Sequence, residues 1–161
     1  MKFKILFALL AIAMLTGCYA NMGVRLYPVQ GPLAAKAPLP VFPAMLTERS
    51  SAGEIRLTLP GGEECQGSFT RLKPEVTQQG ETTVNASVSD GMASVWDSVY
   101  GQGFYVAHVL GSQYHRVGNA TGDHGTVLKI EFVEMAERDP VAARGVARDN
   151  HQNIYKIVFN R

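Results

Sequence analysis

From Gly53 onward the chain keeps alternating apolar and polar residues, and turn signals interrupt it roughly every eight to twelve residues. A period of two places successive side chains on opposite faces, which suits strands with one buried face. Glu54-Ile55-Arg56-Leu57-Thr58-Leu59 puts Ile55, Leu57 and Leu59 on one side. Pro60-Gly61-Gly62 is a turn signal. Residues 64–70 then return as the second arm of a hairpin, with Cys65 and Phe69 inward and Gly67 leaving a gap. Residues 71–80 read as loop, and residues 82–89 alternate again through Val84, Ala86 and Val88. Residues 104–110 are apolar on both faces and read as a central strand. Residues 114–121 form a weaker strand before the turn Gly122-Asp123-His124-Gly125. Residues 126–134 carry Leu128, Ile130 and Phe132 on one face, and residues 136–140 break the run. Residues 144–148 and 153–159 close the chain as a hairpin, with Tyr155, Ile157 and Phe159 facing in.

One segment departs from this period. Met92, Val95, Trp96, Val99 and Tyr100 recur at helical spacing, with Asp90 placed to cap the start and Gly101 and Gly103 to end it. Trp96 is the natural knob for packing such a helix on a sheet. The predicted fold is mainly β: a single antiparallel β-sandwich or small barrel with one short helix.

The N-terminal segment has a different character. Lys2 and Lys4 precede an apolar run from Ile5 to Leu15. That run is far shorter than the ~20 residues that span a bilayer, and it fits a secretory signal. Leu15-Thr16-Gly17-Cys18 resembles the lipobox of bacterial lipoproteins. The resemblance implies a signal peptide over residues 1–17 and cleavage between Gly17 and Cys18. It also implies a diacylglyceryl group on the Cys18 sulfur and acylation, palmitate for example, of the new amino group. Each buried CH₂ contributes ~0.8 kcal/mol, so two or three chains hold a protein to a membrane essentially permanently. In enterobacterial lipoproteins an Asp after the cysteine tends to retain the protein at the inner membrane. Tyr19 stands there instead, which implies the periplasmic face of the outer membrane. Residues 145–149 and 153–156 are similar to segments of small proteobacterial lipoproteins, a likeness that carries no activity with it.

Removing residues 1–17 from the 161 leaves 144, the size of one domain. It also takes Lys2 and Lys4 from the 15 basic residues, leaving 13 against 14 acidic ones. No long block of like charge remains, which argues against nucleic acid as a partner and against a polybasic membrane helix. Residues 18–50 read as a lipidated N-terminus and proline-rich tether, and residues 51–161 as the β-rich domain. Five of the eight prolines, Pro28, Pro32, Pro38, Pro40 and Pro43, fall in that tether. Val24, Leu26, Tyr27, Val29, Leu39, Val41, Phe42, Met45 and Leu46 make it too apolar for a solvated linker. Part of it is expected to lie against the domain or a partner.

The residues that could carry chemistry form weak patterns. With Cys18 acylated, Cys65 is the one thiol left, and it reads as a small buried hydrophobe. Glu63 and Glu64 would raise its pKa, and read themselves as solvating a strand edge. Gly101-Gln102-Gly103 lacks the third glycine of a dinucleotide fingerprint. His108, His115, His124 and His151 match no zinc or copper spacing. Asp97, Ser98 and His108 lack a nucleophile elbow. Phe104, Tyr105 and Tyr114 could mark a binding face. No catalytic residue, metal or cofactor is assigned. The expected function is that of a non-enzymatic envelope lipoprotein, bound to the membrane by lipid, that binds or scaffolds another envelope protein. Two alternatives are a carrier holding an apolar ligand in its barrel, and a hydrolase of envelope polymers using His108, His115 and Asp123.

Overall fold

Alternation of this kind needs partners for every strand, and the chain finds them by closing a ring. The computed structural model describes residues 20–49, 52–72, 75–76, 82–83, 91–134 and 143–160. Eight strands form a closed barrel: β1 (Ala20–Gln30), β2 (Phe42–Arg49), β3 (Ala52–Thr58), β4 (Glu64–Arg71), β7 (His115–Gly122), β8 (Val127–Glu134), β9 (Ala143–Asp149) and β10 (Ile154–Phe159). Each pairs antiparallel with its neighbours in chain order, and β10 returns to β1. This is an up-and-down barrel, which leaves no open edge. Two short strands, β5 (Glu75–Val76) and β6 (Thr82–Thr83), pair only with each other. Of the strand expected over residues 82–89, positions 84–89 lie outside the described residues, as does the break at 136–140.

The proline-rich segment is not a tether. Residues 20–30 and 42–49 are β1 and β2, and they complete the ring. Their apolar residues explain why: Val24, Leu26, Phe42, Ala44 and Leu46 all point inward and are buried. Pro43 is the second residue of β2, ahead of its ladder to β3, and the other prolines fall where they cost little. Pro28 sits where the β1–β10 register shifts, and Pro32, Pro38 and Pro40 lie in the connection between β1 and β2.

The lumen holds the main apolar core. Ile55, Leu57, Cys65, Phe69, Ala120, Leu128, Ile130, Phe132, Ala147, Tyr155 and Ile157 meet the β1 and β2 residues there. Phe69 meets Phe132 edge-on at 5.0 Å, and Phe42 meets Tyr155 at 6.2 Å, so aromatic rings from next-but-one strands meet in the interior. Glycines allow the closest approaches. A Cβ on Gly67 would stand 1.8 Å from the Asn119 carbonyl oxygen and 2.5 Å from the Ala120 Cα. One on Gly118 would meet the Phe69 Cβ at 2.7 Å.

Helix α1 (Met92–Tyr100) lies on the outside of the barrel against β9 and β10. Met92, Val95 and Trp96 are buried on Val133 and Val146, the outward apolar residues of β8 and β9. Gly91 stands at the N-cap with φ 77°, and no side chain caps the helix. Asp90, the expected cap, lies outside the described residues. Residues 104–110 are not a strand. Tyr105–Val109 makes one π-helical turn, closed by the Leu110 amide on the Tyr105 carbonyl at 2.9 Å. A short run apolar on both faces fits a buried strand or a buried helical turn equally well. Here Tyr105 and Val109 complete the second core beneath α1.

Gly67→Ala should cost about 3 kcal/mol or more, because the clash is with backbone rather than with a movable side chain. Met45→Ala, at an exposed outward site on β2, should stay within about 0.5 kcal/mol of the parent. Urea denaturation followed by circular dichroism checks both.

Candidate functional site

Ionisable groups inside a barrel are expensive unless each is bonded, so their partners reveal what they do. At one end, hereafter the distal mouth, the β3–β4, β7–β8 and β9–β10 turns meet the β1–β2 connection. Asp149, the last residue of β9, points inward there. Its Oδ1 accepts from the amides of His151 at 2.9 Å and Asn153 at 2.8 Å. Its Oδ2 accepts from Asn153 Nδ2 at 2.8 Å and from the Tyr155 hydroxyl at 2.7 Å. Burial, then the bond to Asp149, pushes the Tyr155 phenol well above its ordinary value. Asn153 Oδ1 accepts from the Leu33 amide at 2.9 Å, which fastens the β1–β2 connection over the mouth.

Glu63 is the second buried acid at this mouth, and so does not solvate a strand edge. Its Oε2 accepts from the Thr126 hydroxyl at 2.7 Å. Its Oε1 accepts from the amides of Thr126 at 2.9 Å and His124 at 3.2 Å. Gly122 gives it space, since a Cβ there would lie 2.0 Å from Oε1. The Thr126 hydroxyl holds the carboxyl below its ordinary 4.5; burial opposes this, and the two amides add to it. An open pocket of about 590 Å³ sits over these groups, lined by Leu33, Lys36, Glu63, Asp149, Asn153 and Tyr155 among others. Both carboxylates are already occupied by internal donors, so neither is poised as a base or ligand.

The proximal end is closed by an arginine. Arg116 points inward from β7 with its side chain 3% exposed. It donates to Glu48 from Nε at 2.9 Å and from Nη2 at 2.7 Å, and Nη1 reaches Glu134 at 3.0 Å. On the outside, beneath α1, Glu131 is 2% exposed. Trp96 Nε1 donates to its Oε2 at 2.7 Å, and His115 Nε2 lies 3.2 Å from the same oxygen. Its Oε1 has no hydrogen-bond partner among the described residues. This trio holds the helix to the barrel.

The expected chemistry does not assemble. His115 is buried with Glu131, whereas Asp123 sits in the β7–β8 turn and accepts from the Glu64 amide at 3.1 Å. Eight residues of strand separate them, about 26 Å. His108 lies apart on the exposed side of the π-turn, its ring 4.6 Å from that of Phe104. Asp97 accepts from the Tyr105 amide at 3.0 Å, and Ser98 donates to the Val95 carbonyl at 2.8 Å. Among the described residues no three metal-ligating side chains gather. Cys65 faces the lumen, where burial first, then Glu63 and Asp123, push its thiol up to about 11. At neutral pH it holds almost no thiolate. Cys18 lies outside the described residues.

The expected aromatic set divides. Tyr105 is buried, and Tyr114 lies under the Arg71 guanidinium at 5.7 Å. Phe104 joins a stack missed in the sequence: Trp96 to Tyr100 at 5.5 Å, Tyr100 to Phe104 at 4.8 Å. Two exposed cations rest on it. The Arg144 guanidinium lies 5.5 Å from the Tyr100 ring and 5.4 Å from that of Phe104, and Lys156 Nζ lies 5.3 Å from Tyr100.

No family model, curated protein or solved structure matches this chain.

Two outcomes follow. Trp96→Phe keeps the ring but strips a buried carboxylate of a donor, and should cost about 2–3 kcal/mol in urea unfolding. The depressed Glu63 pKa contributes stability that is present above its unfolded value, near 4.5, and lost as pH falls through the folded value. Glu63→Gln should therefore melt lower than the parent at pH 7, with the gap shrinking as the pH drops below about 4.5. Thermal melts from pH 3 to 7 read this directly.

Proposed function

We propose that this chain is a membrane-anchored lipoprotein of the bacterial envelope, acylated at Cys18, whose barrel acts as a non-enzymatic binding or scaffolding module. The anchor rests on Leu15-Thr16-Gly17-Cys18 behind a short apolar run. The non-enzymatic reading rests on one observation: the buried acids Glu63 and Asp149, and the dyad His115–Glu131, are taken up by bonds that hold turns, mouth and helix in place. The aliphatic and aromatic side chains packed in the lumen count against an apolar cargo there. The separation of His115 from Asp123 counts against a hydrolase built on them. The periplasmic face of the outer membrane is the location that Tyr19 favours.

The test is direct. Cys18→Ala should abolish incorporation of labelled palmitate and leave the uncleaved precursor to accumulate. Unchanged labelling would defeat the anchor. Crosslinking in intact cells should yield a defined envelope protein partner. A hydrolytic activity on envelope polymers that disappears in His115→Ala would overturn the scaffold reading.

A further inference from the structure

The outward faces of the barrel are not alike in charge. Outward positions on β9, β10, β1 and β2 carry Arg144, Arg148, Lys156, Arg25 and Arg49, and no Asp or Glu. Outward positions on β3, β4, β7 and β8 carry Glu54, Glu64 and Glu131 alongside Arg56 and Lys129. Net charge near zero for the whole chain hides this division.

The basic half has a compact centre. Arg25 pairs across with Val158, and Val158 with Arg144, so the three form one outward row over β1, β10 and β9. Neighbouring strands lie about 4.8 Å apart, which puts the two arginine backbones about 10 Å apart. In the next row Tyr27 stands beside Lys156. Arg25, Arg144 and Lys156 are exposed, Tyr27 is half-buried, and Val158 is exposed between the arginines. Among the described residues none of these three cations meets a carboxylate. Arg144 and Lys156 rest instead on the Tyr100 ring, which positions them without neutralising them.

The second observation is covalent. Only Tyr19 separates Cys18 from Ala20, the first residue of β1. Two peptide steps reach at most about 7–8 Å. Resting on the anchor proposed above, the lipid is therefore tied close to the proximal end of β1, a strand within the basic half. Lipid chains and basic side chains are the two signals that together fix a protein to an anionic surface. The geometry points to the side of the barrel over β10, β1 and β2, beside α1, as the surface that lies against anionic lipid headgroups, with Arg25, and Lys156 and Arg144 at the margin of the helix, contacting phosphate and Val158 and Tyr27 at the interface. The barrel then lies on its side, with its distal mouth clear of the membrane.

The lipid-bearing protein, purified after palmitate labelling, is reconstituted in vesicles of phosphatidylglycerol with phosphatidylcholine, or of phosphatidylcholine alone. A water-soluble amine-reactive ester then modifies exposed lysines, read by mass spectrometry. Lys156 should be protected about fivefold or more on the anionic vesicles at ~50 mM salt, and deprotected at ~0.5 M salt. Lys36, exposed at the distal mouth, should react equally on both. Arg25→Glu with Arg144→Glu should return Lys156 to its rate on neutral vesicles, whereas Arg56→Glu on β3, outside that surface, should not. Arg25→Gln with Arg144→Gln repeats the test should the charge reversal fail to fold. Equal Lys156 rates on both vesicles overturn the proposal. Protection seen only in intact cells, with a crosslink to an acidic protein, also overturns it and gives the face to that protein. A chain that carries no palmitate removes the anchor but not the test. Added from solution, three cations at about fivefold each should still favour anionic vesicles about a hundredfold, and equal cosedimentation would sink the face as well.

Discussion

Pairing of β10 with β1 is the constraint on which the molecule depends. Without it, β1 at one margin and β10 at the other would expose unpaired backbone, an invitation to aggregation. With it, every strand of the ring has two neighbours, and the inward residues of all eight share one interior. The ring can be this tight only because small residues stand where strands and rings approach most closely. Gly67 lets β4 approach the backbone of β7 at Asn119 and Ala120, and Gly118 leaves room for Phe69.

A closed ring leaves awkward ends, where turn amides point inward and need acceptors. The acids answer that problem. Asp149 gathers the amides of the β9–β10 turn, and Glu63 those of the β7–β8 turn, as a carboxylate with several N–H donors can. At the other end Arg116 does the reverse, one guanidinium holding Glu48 and Glu134. The buried charges thus serve closure, and Glu131 serves attachment of the helix.

Much of this was legible in the residues. The β3–β4 hairpin, the inward Cys65 and Phe69, the closing β9–β10 hairpin, α1 and the role of Trp96 all follow from period and turn chemistry. The first two strands were hidden by proline, which signals a linker locally but is tolerated at a register shift and in a long connection. Their apolar residues were the better guide. The π-turn was hidden because a run apolar on both faces has no period to read. Glu63 and Glu131 were hidden because a carboxylate in an alternating strand looks solvated until its donors are known. Outward Val133 and Val146 were the available sign that something covers β8 and β9. The basic half could not be seen in a line of sequence, because its cations come from four strands.

The place of β1 also governs how the barrel bears load. Ala20 opens a strand flanked on both sides, by β2 and β10, with long antiparallel ladders. A pull on that residue along the strand axis is met by two ladders in shear, with many hydrogen bonds sharing the force, rather than by bonds opening one at a time from an edge. The strand that closes the ring is thus also the one best placed to resist being drawn out of it.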